Sequence, residues 1–381
     1  MPKVSIVKVE DDFYKAVTRA IDDTGERLVS RGDYVLIKPN LYTPARPDSG
    51  DTTNPEVVEA VARYCLDAGA GRVIIGEGPN YYQPASDMRK CFTTTGISEM
   101  ADRLGIEWIL FDEHKYRTYR NVSKYTPAEF RVTEFAFNCD KFINVPVLKT
   151  HYQATVTMAM KNLKGCLKRE DKPRFHDGDL QRAIVELNKI VRPTISIIDA
   201  TAETIGSVGY SNPNQRIGAK LILASTDIVA VDAVGCALIS IDPADVGTVK
   251  FGAAAGLGED DLTRIDIIGE ELKRLKVKIK LPQEILGQSF PGLEITGAEK
   301  ACSGCLIPLI SHLLLLSEQG ANLNQPLRIC QGKNPKIPSD KAWLLIGDCA
   351  QIEGSDPSNC VTGCPPNREE IGECLARYIS G

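Results

Sequence analysis

The chain contains no apolar run long enough to cross a bilayer. The longest, Leu306–Leu316, is broken by Pro308, Ser311 and His312, whereas a spanning helix needs about 20 apolar residues. The opening Met1-Pro2-Lys3-Val4-Ser5-Ile6-Val7 shows no charged segment leading into an apolar one, as a secretory leader would. No Gly-x-x-x-x-Gly-Lys phosphate loop and no His-Glu-x-x-His zinc helix occurs. Gly76-Glu77-Gly78 lacks the third glycine of a dinucleotide fingerprint, and Gly206 with Gly209 makes only a weak glycine loop. A net charge of −5 gives no overall attraction for nucleic acid or anionic membranes. The expectation is a cytoplasmic protein with neither a nucleic-acid nor a membrane partner.

The 381 residues suffice for two or three domains, and the 43% hydrophobic and 25% charged content is ordinary for a globular chain. Up to residue ~280, short β-rich runs alternate with helical patterns, which predicts a layered α/β domain on a largely parallel sheet. Strands are expected at Val4–Val9, Tyr34–Lys38, Arg72–Gly76, Glu107–Phe111, Lys141–Leu148, Thr194–Asp199 and Lys220–Ala224. Helices are expected at Asp11–Leu28, from Asn54-Pro55-Glu56 to Ala68, and at Ala154–Leu163, Asp179–Val191 and Asp227–Ile239. Residues 113–140, polar with Tyr116, Tyr119 and Tyr125, read as a β-excursion. Lys273–Lys280 alternates charged and apolar residues as a half-exposed strand would. Pro282 and Gly287–Gly292 mark a boundary, giving a domain at 1–285 and a smaller cysteine-rich α/β domain at 286–381. The smaller domain is expected to hold a helix near Leu306–Glu318, a strand at Ala342–Ile346 and a terminal helix over about 368–379.

In a reducing compartment twelve cysteines point to metal binding, catalysis or burial rather than to disulfides. Cys65, Cys139 and Cys236 fall in apolar patterns and read as small core residues; Cys91 and Cys166 are harder to assign. Seven of the twelve lie in the last 80 residues. Three contexts stand out: Ala301-Cys302-Ser303-Gly304-Cys305, Gly347-Asp348-Cys349-Ala350 and Gly363-Cys364-Pro365-Pro366. A four-iron cluster needs about four converging thiolates, commonly anchored by a Cys-x-x-Cys pair. Cys302 and Cys305 supply the pair, and Cys349 follows an apolar strand, at the strand end where sites gather in open α/β sheets. Cysteine-only zinc sites remain an alternative, although they more often use two such pairs.

This tail resembles the proximal-cluster region of nickel–iron hydrogenase small subunits and their relative in respiratory complex I. That superfamily carries the pair, a Cys-Ala after a strand and a Gly-Cys-Pro-Pro before a helix, in the same order. The resemblance implies a 4Fe-4S cluster on Cys302, Cys305, Cys349 and Cys364, with the intervals between motifs shortened. Cys330 and Cys360 stay open as rival ligands. In that superfamily the cluster faces a catalytic subunit, which implies a redox partner protein as the alternative to an enzyme in its own right.

The body of the chain carries a second constellation. Lys149 and His151, in Asn144-Val145-Pro146-Val147-Leu148-Lys149-Thr150-His151, follow a strand; Lys161 and Asn162 follow on a predicted helix. Lys38 and Asn40 end the second strand, Glu77 the third and Asp199 a later one, while His176 precedes another helix. In a parallel sheet these strand ends share one edge, where ligands bind. Ammonium, imidazole and amide groups there suit a carboxylate or phosphate. Lys149, His151, Lys161 and His176 are the catalytic candidates, with the histidines moving protons. Lys38, Asn40, Asn162, Glu77 and Asp199 are the substrate-contact candidates, although Glu77 and Asp199 could equally cap neighbouring helices. Lys164, Lys168 and Arg169 read as a solvated face, and His114 and His312 as structural.

These segments resemble the family catalogued as domain of unknown function 362, whose members share Lys-x-Asn, Lys-Thr-His, Lys-Asn-Leu-x-Gly and a later histidine. The likeness spans about residues 1–250. It implies the fold more than the reaction. The bacterial-type ferredoxin insert of many members is absent here, and the cysteine tail stands in its place. Together the features predict an iron–sulfur redox enzyme acting on an anionic small molecule. An electron-transfer or scaffold subunit and a zinc-stapled binding protein are the alternatives.

Overall fold

The computed structural model describes residues 1–25, 27–78, 80, 85–206, 211–217 and 220–380; the weak glycine loop at Gly209 lies outside them. Eight strands form the main sheet: β1 (Lys3–Lys8), β2 (Tyr34–Pro39), β3 (Arg72–Glu77), β4 (Glu107–Leu110), β5 (Lys141–Val145), β6 (Ile195–Ala200), β7 (Leu221–Ser225) and β8 (Asp266–Gly269). Their order is β8-β1-β7-β6-β5-β2-β3-β4. Only β7 runs against its neighbours, β1 and β6; all other pairings are parallel. The carboxyl ends of β2, β3, β5 and β6 therefore share one edge.

Both faces of the sheet are covered. Val35, Ile37, Val73, Ile75, Ile143 and Val145 pack on one side with the helices Phe13–Asp22 and Pro55–Asp67. Leu36, Ile74, Phe142 and Leu223 pack on the other with the helices Leu180–Ile190 and Ile228–Leu238. The alternation of Val35, Leu36 and Ile37 between the two cores is the period-2 pleat of a strand buried on both sides. Local signals set the helix starts. Asn54 accepts from Glu56 N with Pro55 behind it, Asp179 from Arg182 N, and Asp227 from Val229 N and Ala230 N.

A second sheet, β9 (Leu293–Thr296), β10 (Leu327–Gln331), β11 (Ala342–Ile346) and β12 (Cys360–Val361), is parallel throughout. Leu327, Ile329, Leu344 and Ile346 build its own core with Leu309 and Leu313 of the helix Ser303–Glu318. The Gly287–Gly292 stretch begins inside the helix Pro282–Ser289, whose Leu286 joins this second core together with Phe290. Among the described residues no helix is long and apolar enough to cross a membrane.

Several expectations need correction. The helix expected at Ala154–Leu163 is instead a hairpin, Lys149–His151 paired antiparallel with Thr155–Thr157, followed by a one-turn helix Ala159–Asn162. The β-branched Thr155-Val156-Thr157 suits a strand. The His151 ring fixes the turn by accepting from Gln153 N and Ala154 N through Nδ1, each at 3.1 Å. Lys273–Lys280 is no strand: a short helix, Leu272–Leu275, is followed by chain that finds no sheet partner. Its alternation buries Ile279 and packs Val277 partly against the main core. The first helix stops at Asp22 rather than Leu28, because Gly25 takes φ +82° there. The excursion at 113–140 contains an antiparallel hairpin, Tyr116–Arg120 with Glu129–Thr133, then a short helix Phe135–Asn138.

Candidate functional site

Lys38 near the end of β2 and Glu77 at the end of β3 meet out of solvent, Nζ to Oε2 at 2.8 Å. Glu77 Oε2 also accepts from Leu41 N, and Oε1 from Gly78 N. The backbone of Gly165 lies directly on this pair. A Cβ at Gly165 would stand 2.1 Å from Glu77 Oε1 and 2.5 Å from Lys38 Nζ. The segment Lys161-Asn162-Leu163-Lys164-Gly165 therefore has to end in glycine. Lys38 and Glu77, expected as substrate contacts, hold each other.

A chain of amides lies beside them. Asn40 Nδ2 donates to Asn162 Oδ1 (2.9 Å), Asn162 Nδ2 to Asn144 Oδ1 (2.8 Å), and Asn144 Nδ2 to Ala159 O and Ser196 Oγ. Lys149 Nζ donates to Asn40 Oδ1 and Asp51 O and sits 4.3 Å above the Tyr42 ring. Burial pushes Lys149 down to about 8, against the pull of Asp51 and Glu77. Asp199 accepts from Asn54 N at 2.7 Å and from Thr201 N and Oγ1. It anchors the start of the helix Pro55–Asp67, which is the capping role of its two expected roles.

The histidines occupy the next layer, and their partners fix their tautomers. His151 Nδ1 accepts two backbone N–H groups, so its proton is on Nε2. Gln153 Nε2 donates to Ala298 O (2.8 Å) and Ala301 O (3.0 Å). Carbonyls only accept, so the orientation of this amide is set, and its Oε1 faces His176 Nδ1 at 2.8 Å as an acceptor. His176 thus carries its proton on Nδ1 and turns the Nε2 lone pair to Lys164 Nζ, 2.6 Å away. Burial holds both imidazoles well below their ordinary range, reinforced for His151 by Lys161, His176, Lys164 and Lys149, and for His176 by Lys164 and Lys161.

Two further lysines complete the cluster. Lys161 has no hydrogen-bond or ion-pair partner among the described residues, and Lys164 has only His176. Both keep some surface in solvent. Burial, with Lys164 and Lys149 near, drives Lys161 well below its ordinary value. Lys164, read from sequence as solvated, belongs to the site; burial and Lys172 push it down to about 7, opposed by Cys302. Lys172 Nζ reaches Gly78 O at 2.8 Å. The sequence reading missed Gln153, Lys172 and Asp51 altogether. The spacing of Lys161 and Lys164, three apart and so on one side of a helical turn, was the one available signal for Lys164.

The cysteine motifs converge at the carboxyl end of the second sheet. Cys302 precedes the helix Ser303–Glu318 and Cys305 lies in its first turn. Gly347, at φ +89°, lets Cys305 Sγ approach: a Cβ there would be 2.4 Å from the sulfur. The turns carrying Cys349 and Cys364 are tied by Gly363 N to Asp348 Oδ1 (2.6 Å) and Asp348 N to Gly363 O (3.2 Å). Cys305 is raised by Cys302, burial, Cys349 and Cys364, and Cys364 by burial, Cys302 and Cys349. The four thiols are therefore near neighbours. Among the described residues, however, no three His, Cys, Asp or Glu side chains stand ready to hold a metal ion. Cys330 faces Lys336 O and Thr296, and Cys360 faces Asp356 O, with Cys374 near. An all-thiol set suits an iron–sulfur cluster or zinc in kind.

A profile of the family described as domain of unknown function (DUF362) matches residues 35–237. The chain belongs to the DUF362 family. It is 32% identical over 236 residues to the thylakoid-associated protein sll1697 of Synechocystis sp., covering 60% of this chain and 70% of that protein. Two solved structures are alike at low similarity. A Thermotoga maritima protein gives TM-score 0.39 and 12% identity over 59% of this chain. The lactate racemase apoprotein of Thermoanaerobacterium thermosaccharolyticum gives 0.40 and 11% over 62%. In both, the match spans only 57% of the other chain. The DUF362 match contains the Lys38–Glu77 pair, the amide chain, both site histidines and Lys161. It ends well before Cys302.

Proposed function

We propose that this DUF362 protein is a cytoplasmic redox enzyme that binds a small anionic molecule at Lys161, Lys164, His151 and His176. In this reading a 4Fe-4S cluster is held beside that molecule by Cys302, Cys305, Cys349 and Cys364. One observation carries the proposal. The single amide of Gln153 bonds His176 through one atom and the carbonyls of Ala298 and Ala301 through the other. The latter residue immediately precedes Cys302, so the cysteine loop and the basic pocket are built on a shared contact. Lys333, just past β10, adds an ion pair to Asp177 at 3.3 Å.

The chain's own groups have definable tasks. Lys161 and Lys164 attract and orient the anion. His151 Nε2–H donates to it, and the His176–Lys164 contact holds a proton that can move toward it. A bound cluster of this type supplies or accepts single electrons. Cys349 and Cys364 are exposed, which favours a second reading, an electron-transfer subunit whose cluster serves a partner protein.

Anaerobic purification with iron and sulfide counts and a visible spectrum tests the proposal. About four irons and four sulfides per chain are expected. A colourless protein with stoichiometric zinc refutes it. His151→Ala separates the two readings: turnover is lost in the enzyme, and electron delivery is unchanged in the carrier.

A further inference from the structure

Among the described residues, the lysine–histidine cluster offers donors and few acceptors. Lys161, when protonated, presents three N–H groups that have no partner among the described residues, Lys164 gives one of its own to His176, and His151 presents Nε2–H. The acceptors nearby are engaged: Glu77 by Lys38, Leu41 N and Gly78 N, and Gln153 Oε1 by His176. Asp51 lies 3.8 Å from Lys149. No carboxylate pairs with Lys161 or Lys164 among the described residues. With no counter-charge among the described residues, these two amines take up and keep their protons when a ligand brings negative charge to them; so protonated, they make a donor-only lining that repels any ligand atom carrying its own N–H or O–H.

From this we infer that the lysine–histidine cluster selects small dianionic oxyanions whose polar surface is wholly acceptor, such as a dicarboxylate, a phosphate monoester dianion or sulfate, over monoanions and over anions bearing donors. The inference deepens the proposed function and rests on its anion site, not on its cluster. A dianion supplies one charge to each lysine and accepts the His151 proton's hydrogen bond. An amide or a protonated oxygen in place of one carboxylate leaves an N–H or O–H against an N–H, and discrimination against such ligands is steep when the site's own polar groups stay unpaired.

The test is titration calorimetry on the full-length, anaerobically purified chain at pH 7 and low ionic strength. The probes are sulfate, methyl phosphate, succinate, acetate and succinamate, the monoamide of succinate. At least one of the first three is expected to fill one site at least tenfold more tightly than acetate or succinamate. Preference for sulfate and methyl phosphate assigns a tetrahedral ligand group; preference for succinate assigns a dicarboxylate. Lys161→Met is expected to weaken that binding at least tenfold, while Lys189→Met on the exposed side of the helix Leu180–Ile190 leaves it unchanged. Acetate or succinamate binding within threefold of every dianion overturns the inference, and so does undiminished binding in a folded Lys161→Met. The wild-type comparison decides the matter even if the variant does not fold. Iron content of the same samples keeps the two proposals apart: iron-free protein that still selects dianions refutes only the cluster, and iron-loaded protein without the preference refutes only this inference.

Discussion

Gly165→Ala tests the packing on which the strand-end network depends. The added methyl carbon would meet Glu77 Oε1 at 2.1 Å and Lys38 Cε and Nζ at 2.5 Å. No real Cβ tolerates such contacts, and the atoms in the way cannot swing aside. Lys38 is 0% exposed and Glu77 4%, and their hydrogen bonds run inward to Pro39 O, Leu41 N and Gly78 N. The backbone offers no relief either, because Gly78 already lies against Gly165 O. Overpacking alone costs about 1–3 kcal/mol. Prising apart a buried ion pair costs about 3–5 kcal/mol, since each charge is left without its partner. The two effects overlap, so the expected loss is about 3–5 kcal/mol, read as a shifted urea midpoint with little change in slope. Gly287→Ala is the control: it lies in the helix Pro282–Ser289 with no atom within 4 Å of the new carbon, so it should gain up to about 1 kcal/mol. A Gly165→Ala protein that loses less than about 1 kcal/mol would show that the Lys38–Glu77 pair is looser than its geometry states.

Three further outcomes follow from the same geometry. Imidazole nitrogen NMR should find His176 protonated on Nδ1 and His151 on Nε2; Gln153→Leu should disturb the His176 pattern, and an unaltered spectrum would remove Gln153 from its positioning role. Cys360→Ala and Cys330→Ala should retain iron while Cys364→Ala loses it; retention in Cys364→Ala would transfer the ligand role to another thiol. Asp232, 1% exposed, accepts from Ala159 N (2.7 Å) and Met160 N (3.0 Å), and burial raises its pKa to about 7. The folded state then binds a proton that the unfolded state has released. Its contribution to stability is therefore full below about pH 4 and is lost as pH rises through about 7. Between pH 8 and pH 5 the wild type should gain roughly 2–3 kcal/mol relative to Asp232→Asn in paired urea titrations; parallel pH profiles would contradict the raised pKa.

The sequence made the strand ends legible because their signals are local. Apolar runs stop at Pro39, Glu77 and Pro146, and in a parallel sheet such stops fall on one edge. The cysteine motifs were legible for a similar reason, each being a short pattern around one turn. What the sequence concealed was tertiary. Ala154–Leu163 has the apolar spacing of a helix, yet its first half is drawn into a hairpin by the His151 ring, and no propensity encodes that bond. Gln153 belongs to no motif; it matters because carbonyls 145 and 148 residues away arrive beside it. Lys164 looked solvated because nothing in its neighbourhood of the chain announces His176 as its partner.

The hairpin explains how the ends of the two sheets are brought together. In parallel sheets ligands gather at the carboxyl ends of strands, and here two such ends face each other. The main sheet contributes Lys149 and His151 beyond β5. The second contributes Ala298 and Cys302 beyond β9, Lys333 beyond β10 and Cys349 beyond β11. The hairpin lies between them, with Thr155 at φ +66°, a backbone region that a β-branched residue adopts only at a cost. Gln153 at its tip bonds both sides. A change at either sheet end is thereby transmitted through one amide: displacing the Ala298–Ala301 loop removes the acceptors that orient Gln153, which frees the tautomer of His176 and the lone pair that Lys164 addresses. The basic cluster and the loop before Cys302 are therefore joined through Gln153, and on the proposed anion site Gln153→Leu should weaken dianion binding even in iron-free protein.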